Sequence, residues 1–176
     1  MQPFNSERLY YRPYRRSDAE AAFVFFGDPE VMKYSAFGVH PTIERTVDML
    51  ADLIADNRRH GFGFWAVVER ETDVLIGMAG LAEIDEEESD FELAYRLRRD
   101  RWGRGYGTEA AAAWVAQGFS ALDLPYIVGV VEPDHVVSKT ILEGVGMRFV
   151  EQRTLHGKLV DYMVLERPEA SWTINK

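Results

Sequence analysis

The spacing of apolar residues along the chain predicts a short strand followed by helices. Residues 9–13 alternate between apolar and polar types and end in a proline, which favours a strand at a sheet edge. Ser17 and Glu20 have the spacing of a capping box, and Gly27 marks the end of the helix that it opens. Apolar residues then recur with helical spacing over residues 43–54, and this longer helix ends at Gly61.

Three segments with strand character come next, and their order predicts an antiparallel meander. They cover residues 62–70, 74–84 and 91–99, and the connections between them, ETD and DEEES, are short and polar. The acidic connection is either a solvated turn or a wall that attracts a cationic substrate. Its ligand order is not that of a calcium-binding EF-hand loop.

The second half of the chain alternates between strands and helices. A helix is predicted at 108–122, an almost entirely apolar strand at 126–132 that is buried on both faces, and a further helix from Asp134. The last segment predicts a hairpin that turns at 156–158. A meander followed by alternating strands and helices indicates one mixed α/β domain over residues 1–176.

Composition narrows the classes of function. The chain of 176 residues has no cysteine, which excludes disulfides, thiolate metal sites and cysteine nucleophiles. Its net charge of −9 argues against binding to nucleic acids or anionic membranes. Neither a signal peptide nor a membrane-spanning run is visible, so we expect a cytoplasmic protein. The histidines lack metal-ligand spacing, and no metal is expected.

Positive charge and glycine are concentrated between the predicted strand 91–99 and the helix after it. Glycines occupy positions 103, 105 and 107, and arginines occupy positions 98, 99, 101 and 104. A glycine-rich turn before a helix exposes backbone N–H groups at the positive end of the helix dipole, which predicts an anion site. The alternative is an ordinary turn with solvated arginines. The stretch lacks the lysine of a P-loop, and its G-x-G-x-G spacing is not the dinucleotide fingerprint.

The segments ELAYRLRRDRWGRGYGTEA and VEPDHVVSKTILEGVGMRF together resemble the GNAT superfamily of acyl-CoA-dependent N-acyltransferases. The opening ERLYYRPYRRSDAEAAFVFFGDPEVMKY and the closing DYMVLERPEASW resemble its branch of ribosomal-protein N-terminal acetyltransferases, so the likeness covers nearly the whole chain. It implies a mixed α/β fold with a mostly antiparallel sheet, helices on both faces and a splayed strand pair. It also implies acetyl-CoA as co-substrate and a primary amine, on a protein N-terminus or a small molecule, as acceptor. Dimers are common in this branch, and the sequence itself leaves open whether this chain forms a homodimer.

The resemblance also implies where the coenzyme binds. The glycine loop and the start of the next helix match the family's pyrophosphate-binding loop, with tryptophan where the wider family has Arg or Gln. The backbone at the end of strand 91–99 should pair with the pantetheine arm, in a slot that opens where this strand and strand 126–132 splay apart. The residues implied are Leu97, Arg99, Trp102, Gly103, Arg104, Gly105, Tyr106, Gly107, Thr108, His135 and Ser138.

Glu92 and Ser138 are the catalytic candidates. Direct attack requires a neutral amine, and an α-amine with a pKa of about 8 needs a weaker base than a lysine-like amine at about 10.4. Glu92 lies at the head of the strand where the family often places a glutamate that acts directly or through water; the alternative is a solvated acid at a strand end. Glu83 is a weaker second candidate. Ser138 matches the serine of the family's N-x-x-S pattern, and its hydroxyl either supports the departing sulfur or only bonds to its own helix.

Two departures from the family pattern keep other functions open. His135 replaces the asparagine of N-x-x-S, and Leu142 replaces a tyrosine that serves as the acid in many members. One alternative function is therefore a non-catalytic acyl-CoA-binding sensor or interaction module on the same fold. A nucleotide phosphotransferase is a third, but the chain lacks the lysine and the carboxylate motif for Mg²⁺ that such enzymes use.

Overall fold

The computed structural model describes residues 1–84, 90–155 and 157–168. The strands in these ranges form one sheet, and helices lie between them in sequence. The strands are β1 Phe4–Asn5, β2 Leu9–Arg12, β3 Gly63–Glu69, β4 Val74–Glu83, β5 Phe91–Leu97, β6 Tyr126–Val131, β7 Arg148–Leu155 and β8 Lys158–Glu166. The helices are α1 Ala19–Phe26, α2 Pro29–Met32, α3 Ile43–His60, α4 Tyr106–Ser120 and α5 Val136–Gly144.

The sheet has the order β1-β2-β3-β4-β5-β6-β8-β7 and is mostly antiparallel. The predicted meander is confirmed, because β3 pairs with β4 and β4 with β5 in antiparallel register. β5 and β6 are parallel and pair with Glu92 opposite Val128, after which they diverge toward their C-terminal ends. The predicted splayed pair is therefore confirmed, and the gap that it leaves opens toward Leu97.

A buried carboxylate holds the closed end of the splayed pair. Tyr126, at the start of β6, donates a hydrogen bond to Asp90 Oδ1 at 2.6 Å, and Tyr162 of β8 donates to Oδ2. Asp90 directly precedes β5 and is 7% exposed, so its two oxygens tie β5 to both β6 and β8. These contacts set the end from which β5 and β6 diverge.

Each face of the sheet carries its own hydrophobic layer. Trp114 of α4 packs edge-on against Trp65 of β3, with ring centroids 5.6 Å apart. α1 and α3 cover the opposite face, where Phe26 and Leu50 pack with Met78 of β4. Side chains alternate between the two faces of each strand, so each strand contributes to both layers. Helices on both faces, as predicted, are confirmed.

Two details near the N-terminus differ from the prediction. The capping box of Ser17 and Glu20 is wrong, because residues 16–18 form a 3-10 turn in which Asp18 accepts the Arg15 backbone N–H at 2.7 Å. Asp18 also forms an ion pair with Arg12 at 2.7 Å, and this pair holds the carboxylate where it can accept the Arg15 backbone N–H. The strand at 9–13 is not at the sheet edge, since β1 pairs with its outer side.

Element boundaries after the meander also differ from the prediction. β5 ends at Leu97, and a 3-10 turn at 99–101 replaces the rest of the predicted strand. α4 begins at Tyr106, two residues before the predicted start, because Gly105 acts as its N-cap. The final hairpin is confirmed as β7–β8; the predicted turn residue His156 and the acidic connection at 85–89 lie outside the described residues. Within the described ranges, no helix combines the length and apolar character needed to cross a bilayer.

Candidate active site

Backbone groups of β5 line the gap between β5 and β6. The Arg98 N–H donates to the Ile76 carbonyl of β4 at 2.8 Å, so alternation turns the N–H and C=O groups of Leu97 and Tyr95 the opposite way, toward β6. Because β6 has diverged here, these groups face the gap. The Trp102 indole Nε1 donates to the Leu97 carbonyl at 2.8 Å and lies over this end of the strand. The gap therefore offers an extended ligand a strand edge with which to pair.

The glycine loop leads into the first turn of α4 at the open end of this gap. Gly103 and Gly105 have φ angles of 72° and 79°, in the left-handed region that glycine adopts without a steric penalty. The N–H groups of Tyr106, Gly107 and Thr108 belong to the first helical turn and have no intrahelical acceptor, so the loop presents donors and the positive end of the helix dipole to an anion.

The arginines around this loop are largely engaged with carboxylates of the protein. Arg98 pairs with Asp100 at 3.1 Å, Arg101 pairs with Asp100 at 2.8 Å, and Arg99 pairs with Asp28 at 3.4 Å. Their positive charge is therefore partly compensated within the chain. The backbone donors of α4 and the exposed Arg104 remain as the attraction for an anion.

The N-terminal strands clamp the glycine loop from outside. Glu109, in the first turns of α4, accepts hydrogen bonds from Ser6 Oγ at 2.6 Å and from the Arg8 backbone N–H at 2.7 Å. The Arg8 guanidinium pairs with Glu109 at 2.7 Å and donates to the Arg104 carbonyl at 2.9 Å. The Tyr106 hydroxyl points away from the loop and donates to the buried Glu69 at 2.5 Å. These contacts hold the loop in its open geometry.

Glu92 lies on the side of the sheet that α1 and α3 occupy. We use the word cleft for the region on this side of β5 between the α2–α3 connection, which contacts Arg96 through Phe37, and the start of α5, which contacts Tyr34 through His135. It pairs with Ala82 on β4, and its carboxyl points away from the face that α4 covers. Burial raises the pKa of Glu92 to about 7, while the positive charge of Arg96 partly opposes the shift. Glu83 is exposed at the end of β4 and points to the opposite face. Of the two carboxylate candidates, only Glu92 lies in the cleft.

Arg96 forms a wall of the same cleft, and the sequence interpretation missed it. Its guanidinium lies over the Phe37 ring at 5.3 Å from the centroid, and Phe37 contacts Phe64 at 6.2 Å between centroids. Nη1 of Arg96 is buried and has no hydrogen-bond partner among the described residues. The available signal was its spacing of four residues from Glu92, which places both side chains on one face of a strand.

His135 closes the cleft from the side of α5. Its ring stacks on Tyr34 with centroids 4.0 Å apart and an interplanar angle of 14°. Burial lowers the pKa of His135, against the opposing effect of the acidic Asp134. Since Tyr34 follows α2, this stack joins the α2–α3 connection to the start of α5 across the splayed strands.

Ser138 meets a tyrosine that the sequence interpretation also missed. The Tyr95 hydroxyl lies 3.1 Å from Ser138 Oγ and donates to the Ser138 carbonyl at 3.3 Å. Burial raises the pKa of Tyr95 to about 12, while the hydrogen bond with Ser138 opposes the shift. Leu142 is 2% exposed and belongs to the core cluster instead of the site. Because Tyr95 and Glu92 point to opposite faces of β5, the carboxyl and the hydroxyl pair flank the strand.

The described residues do not gather three or more potential metal-ligating side chains at any point. The chemical groups at the site are therefore a carboxyl with a raised pKa, a hydroxyl pair, a half-buried guanidinium and a loop of backbone donors.

Comparison with known proteins identifies relatives that share this arrangement of elements. A family model described as the acetyltransferase (GNAT) domain matches residues 8–148. The uncharacterized N-acetyltransferase p20 of Bacillus licheniformis is 29% identical over 168 residues, which are 92% of this chain and 93% of that protein. The crystal structure of a GNAT-family acetyltransferase from Bacillus anthracis has a TM-score of 0.79 at 24% identity and covers 93% of this chain and 98% of its own.

A further solved structure of the same fold contains the coenzyme. RimL, a ribosomal α-N-protein acetyltransferase in complex with coenzyme A, has a TM-score of 0.77 at 14% identity, over 92% of this chain and 95% of its own. At such identities the solved structures show the fold alone. The mixed, mostly antiparallel fold with a splayed strand pair that the resemblance implies is thereby confirmed.

Proposed function

Because the chain belongs to the GNAT acetyltransferase family, we propose that it transfers an acetyl group from acetyl-CoA to a primary amine of a small molecule or a protein N-terminus. Family membership makes the protein an acyltransferase; the donor, the acceptor and the residues that act are the proposal. The observation that supports it is the arrangement around the β5–β6 gap. Glu92 lies on one side of the strand, and the hydroxyl pair of Tyr95 and Ser138 lies on the other.

The residues at the gap fit acetyl-CoA as the acyl donor. The left-handed Gly103 and Gly105, with the first N–H groups of α4, would hold the pyrophosphate. The gap-facing backbone of Leu97 and Tyr95 would pair with the amide groups of pantetheine, and the Trp102 indole would cover that end of the slot. When bound, the coenzyme supplies an acetyl thioester as the electrophile.

Glu92 is proposed as the general base, directly or through one water. A base is most effective when its pKa is close to the working pH, and burial brings the pKa of Glu92 to about 7. An α-amine has a pKa of about 8, so proton transfer from its ammonium to this carboxylate is unfavourable by only about one pKa unit. The same pairing is less favourable for a lysine-like amine. The carboxyl environment therefore supports a weakly basic acceptor.

Ser138 and Tyr95 are proposed to supply a hydrogen bond to the leaving thiolate. Hydroxyl protons rotate, so the Tyr95 proton can turn from the Ser138 carbonyl to Ser138 Oγ, and the Ser138 proton can then point into the gap. Tyr95 comes from the strand, and it stands in place of the helix tyrosine that Leu142 replaces. His135 is proposed to shape the pantetheine slot through its stack on Tyr34.

The test is to mix the protein with acetyl-CoA and a panel of primary amines and to follow the release of free thiol. Acceptor-dependent thiol release, with the acetylated amine identified by mass spectrometry, supports the proposal. Tight acetyl-CoA binding without turnover on any acceptor would instead favour a non-catalytic acyl-CoA sensor, for which the buried Leu142 is the structural argument. A single domain over 1–176 and a cytoplasmic location stay predictions, as does the possible homodimer.

A further inference from the structure

Arg96 is a half-buried cation, and one of its guanidinium nitrogens is buried without a hydrogen-bond partner in the described part of the chain. This nitrogen is Nη1, and buried donors are normally paired. The Phe37 ring contacts the guanidinium plane, an interaction that leaves the in-plane N–H groups directed elsewhere. Tyr14 also approaches Arg96, but its hydroxyl is engaged with the Gly77 carbonyl at 3.3 Å. The unpaired Nη1 of Arg96 can therefore donate hydrogen bonds to an anion that enters from the cleft.

The position of Arg96 relative to Glu92 indicates which second group a molecule bound through its anion would carry. The two residues lie on one face of β5, with only the small Ala94 between them, and their Cα atoms are about 13 Å apart in an extended strand. They form no ion pair with each other among the described residues. The cleft floor therefore carries a cationic group at one end and a carboxyl at the other, separated by the small alanine.

This pairing complements a molecule that carries an amine and a carboxylate. We propose that the acceptor is a compact amino acid whose carboxylate binds the guanidinium of Arg96 while its amine faces Glu92. The inference rests on the proposed N-acetyltransferase function and specifies the chemical class of its acceptor. Arg96 is then a specificity residue: a guanidinium binds a carboxylate with two parallel hydrogen bonds, which a neutral amide cannot match.

The discriminating experiment compares amino acids with their own carboxamides. The acceptors are L-alanine, L-phenylalanine, L-lysine and β-alanine, each beside its amide, and thiol release gives kcat/KM for every member. In solution the carboxylate raises the pKa of the neighbouring amine, so amine reactivity alone favours the amide; an ion pair between the carboxylate and Arg96 neutralises this charge and returns the bound amine toward the weaker basicity that suits Glu92. A charge-assisted hydrogen bond predicts the reverse order, with the acid preferred about 10- to 100-fold in at least one pair.

Variants then test whether Arg96 is the cause of that preference. Arg96→Gln should lower the acid-to-amide ratio of kcat/KM to one or below. Arg96→Lys keeps the positive charge but cannot form two parallel hydrogen bonds, and it should retain part of the acid preference. Arg59→Gln, at an exposed arginine on the last turn of α3, is the matched control and should keep the wild-type ratio. A thermal unfolding curve of each variant shows that the compared proteins are folded.

The outcomes separate this inference from the proposed function. Amides acetylated as well as acids by the wild-type protein, or an acid preference that survives in Arg96→Gln, would overturn the inference and leave the acetyltransferase intact. If no acceptor is acetylated, the proposed function fails, and calorimetric titration with N-acetyl-L-alanine and N-acetyl-L-alaninamide decides on Arg96. Tighter binding of the acid, lost in Arg96→Gln, supports the carboxylate site; equal or undetectable binding of the two overturns it.

Discussion

Replacing Glu92 by glutamine should stabilise the protein at alkaline pH while it removes activity. Burial raises the pKa of this carboxyl from 4.5 to about 7, so the folded protein holds a proton there that the unfolded chain has already lost. The stabilisation from this proton is fully present below pH 4.5 and is lost as the pH rises through about 7. Glutamine cannot ionise, and the variant escapes that loss.

The size of the effect follows from the shift. One pKa unit corresponds to about 1.4 kcal/mol, so a shift from 4.5 to about 7 gives about 3 kcal/mol as the upper bound. Glu92 keeps some exposed surface in the open cleft, which lowers the figure toward about 1 kcal/mol. For a domain of this length, the melting temperature of Glu92→Gln at pH 8 should exceed that of the wild type by about 2–10 °C.

The assay is urea unfolding of both proteins at pH 5 and pH 8, with kcat measured on the best acceptor. All other groups titrate alike in the two proteins. The difference in unfolding free energy between Glu92→Gln and the wild type therefore changes from pH 5 to pH 8 only because of Glu92. Loss of a general base should lower kcat by about 10²- to 10⁴-fold. Glu83→Gln, on the opposite face and exposed, is the matched control for activity, and its kcat should equal that of the wild type.

Two results would refute the reasoning. A difference in unfolding free energy between Glu92→Gln and the wild type that is the same at pH 5 and pH 8 would show that the carboxyl is not desolvated in the folded protein. Unchanged kcat in Glu92→Gln would place the base elsewhere, whatever the stability measurement shows.

Three further predictions concern the coenzyme site and its supports. Gly105→Ala and the control Gly157→Ala both place a side chain at a left-handed backbone position, at a strain of about 1–2 kcal/mol. Titration calorimetry should show an affinity for CoA that is at least tenfold weaker in Gly105→Ala and unchanged in Gly157→Ala. Ser138→Ala and Tyr95→Phe should each lower kcat about tenfold without changing the dissociation constant of acetyl-CoA; steady-state rates equal to the wild type would disprove the leaving-group role. Glu109→Ala should lose about 1–3 kcal/mol of unfolding free energy at pH 7. Burial raises the pKa of Glu109, but hydrogen bonds from Ser6 and Arg8 outweigh it and leave the pKa lowered, so this difference should fade in urea titrations as the pH falls below the ordinary glutamate value.

The sequence was most informative where the structure depends on local spacing. The meander, the apolar strand β6 and the glycine turn before α4 each follow from residues within a few positions of one another. Glu92 became a candidate in a different way, through the family resemblance, which implies a glutamate at the head of this strand. Its raised pKa is not local, since it depends on the desolvation of the carboxyl in the folded chain.

The missed parts of the site depend on contacts between distant segments. Tyr95 acquires its role from Ser138, 43 residues further along, and Arg96 from the ring of Phe37. No spacing pattern in the sequence predicts either contact. The wrong capping box has a similar origin: Asp18 serves the turn because Arg12, on a neighbouring strand, pairs with it. The start of α4 was predicted two residues too late because its N-cap is Gly105, and glycine is a residue type that also predicts a loop.

The contacts of Ser6 and Arg8 with Glu109 on α4 also determine when the glycine loop can form during synthesis. Ser6 and Glu109 are 103 residues apart in sequence, so the contact closes a loop that contains β2 to β5, four of the eight described strands. A nascent chain presents β1 and β2 long before their partner on α4 has been made. The loop geometry is therefore acquired late, after the two ends of this long interval have met, and contacts of such separation slow folding. Coenzyme added during refolding should accordingly act on the last steps and leave the early ones unchanged.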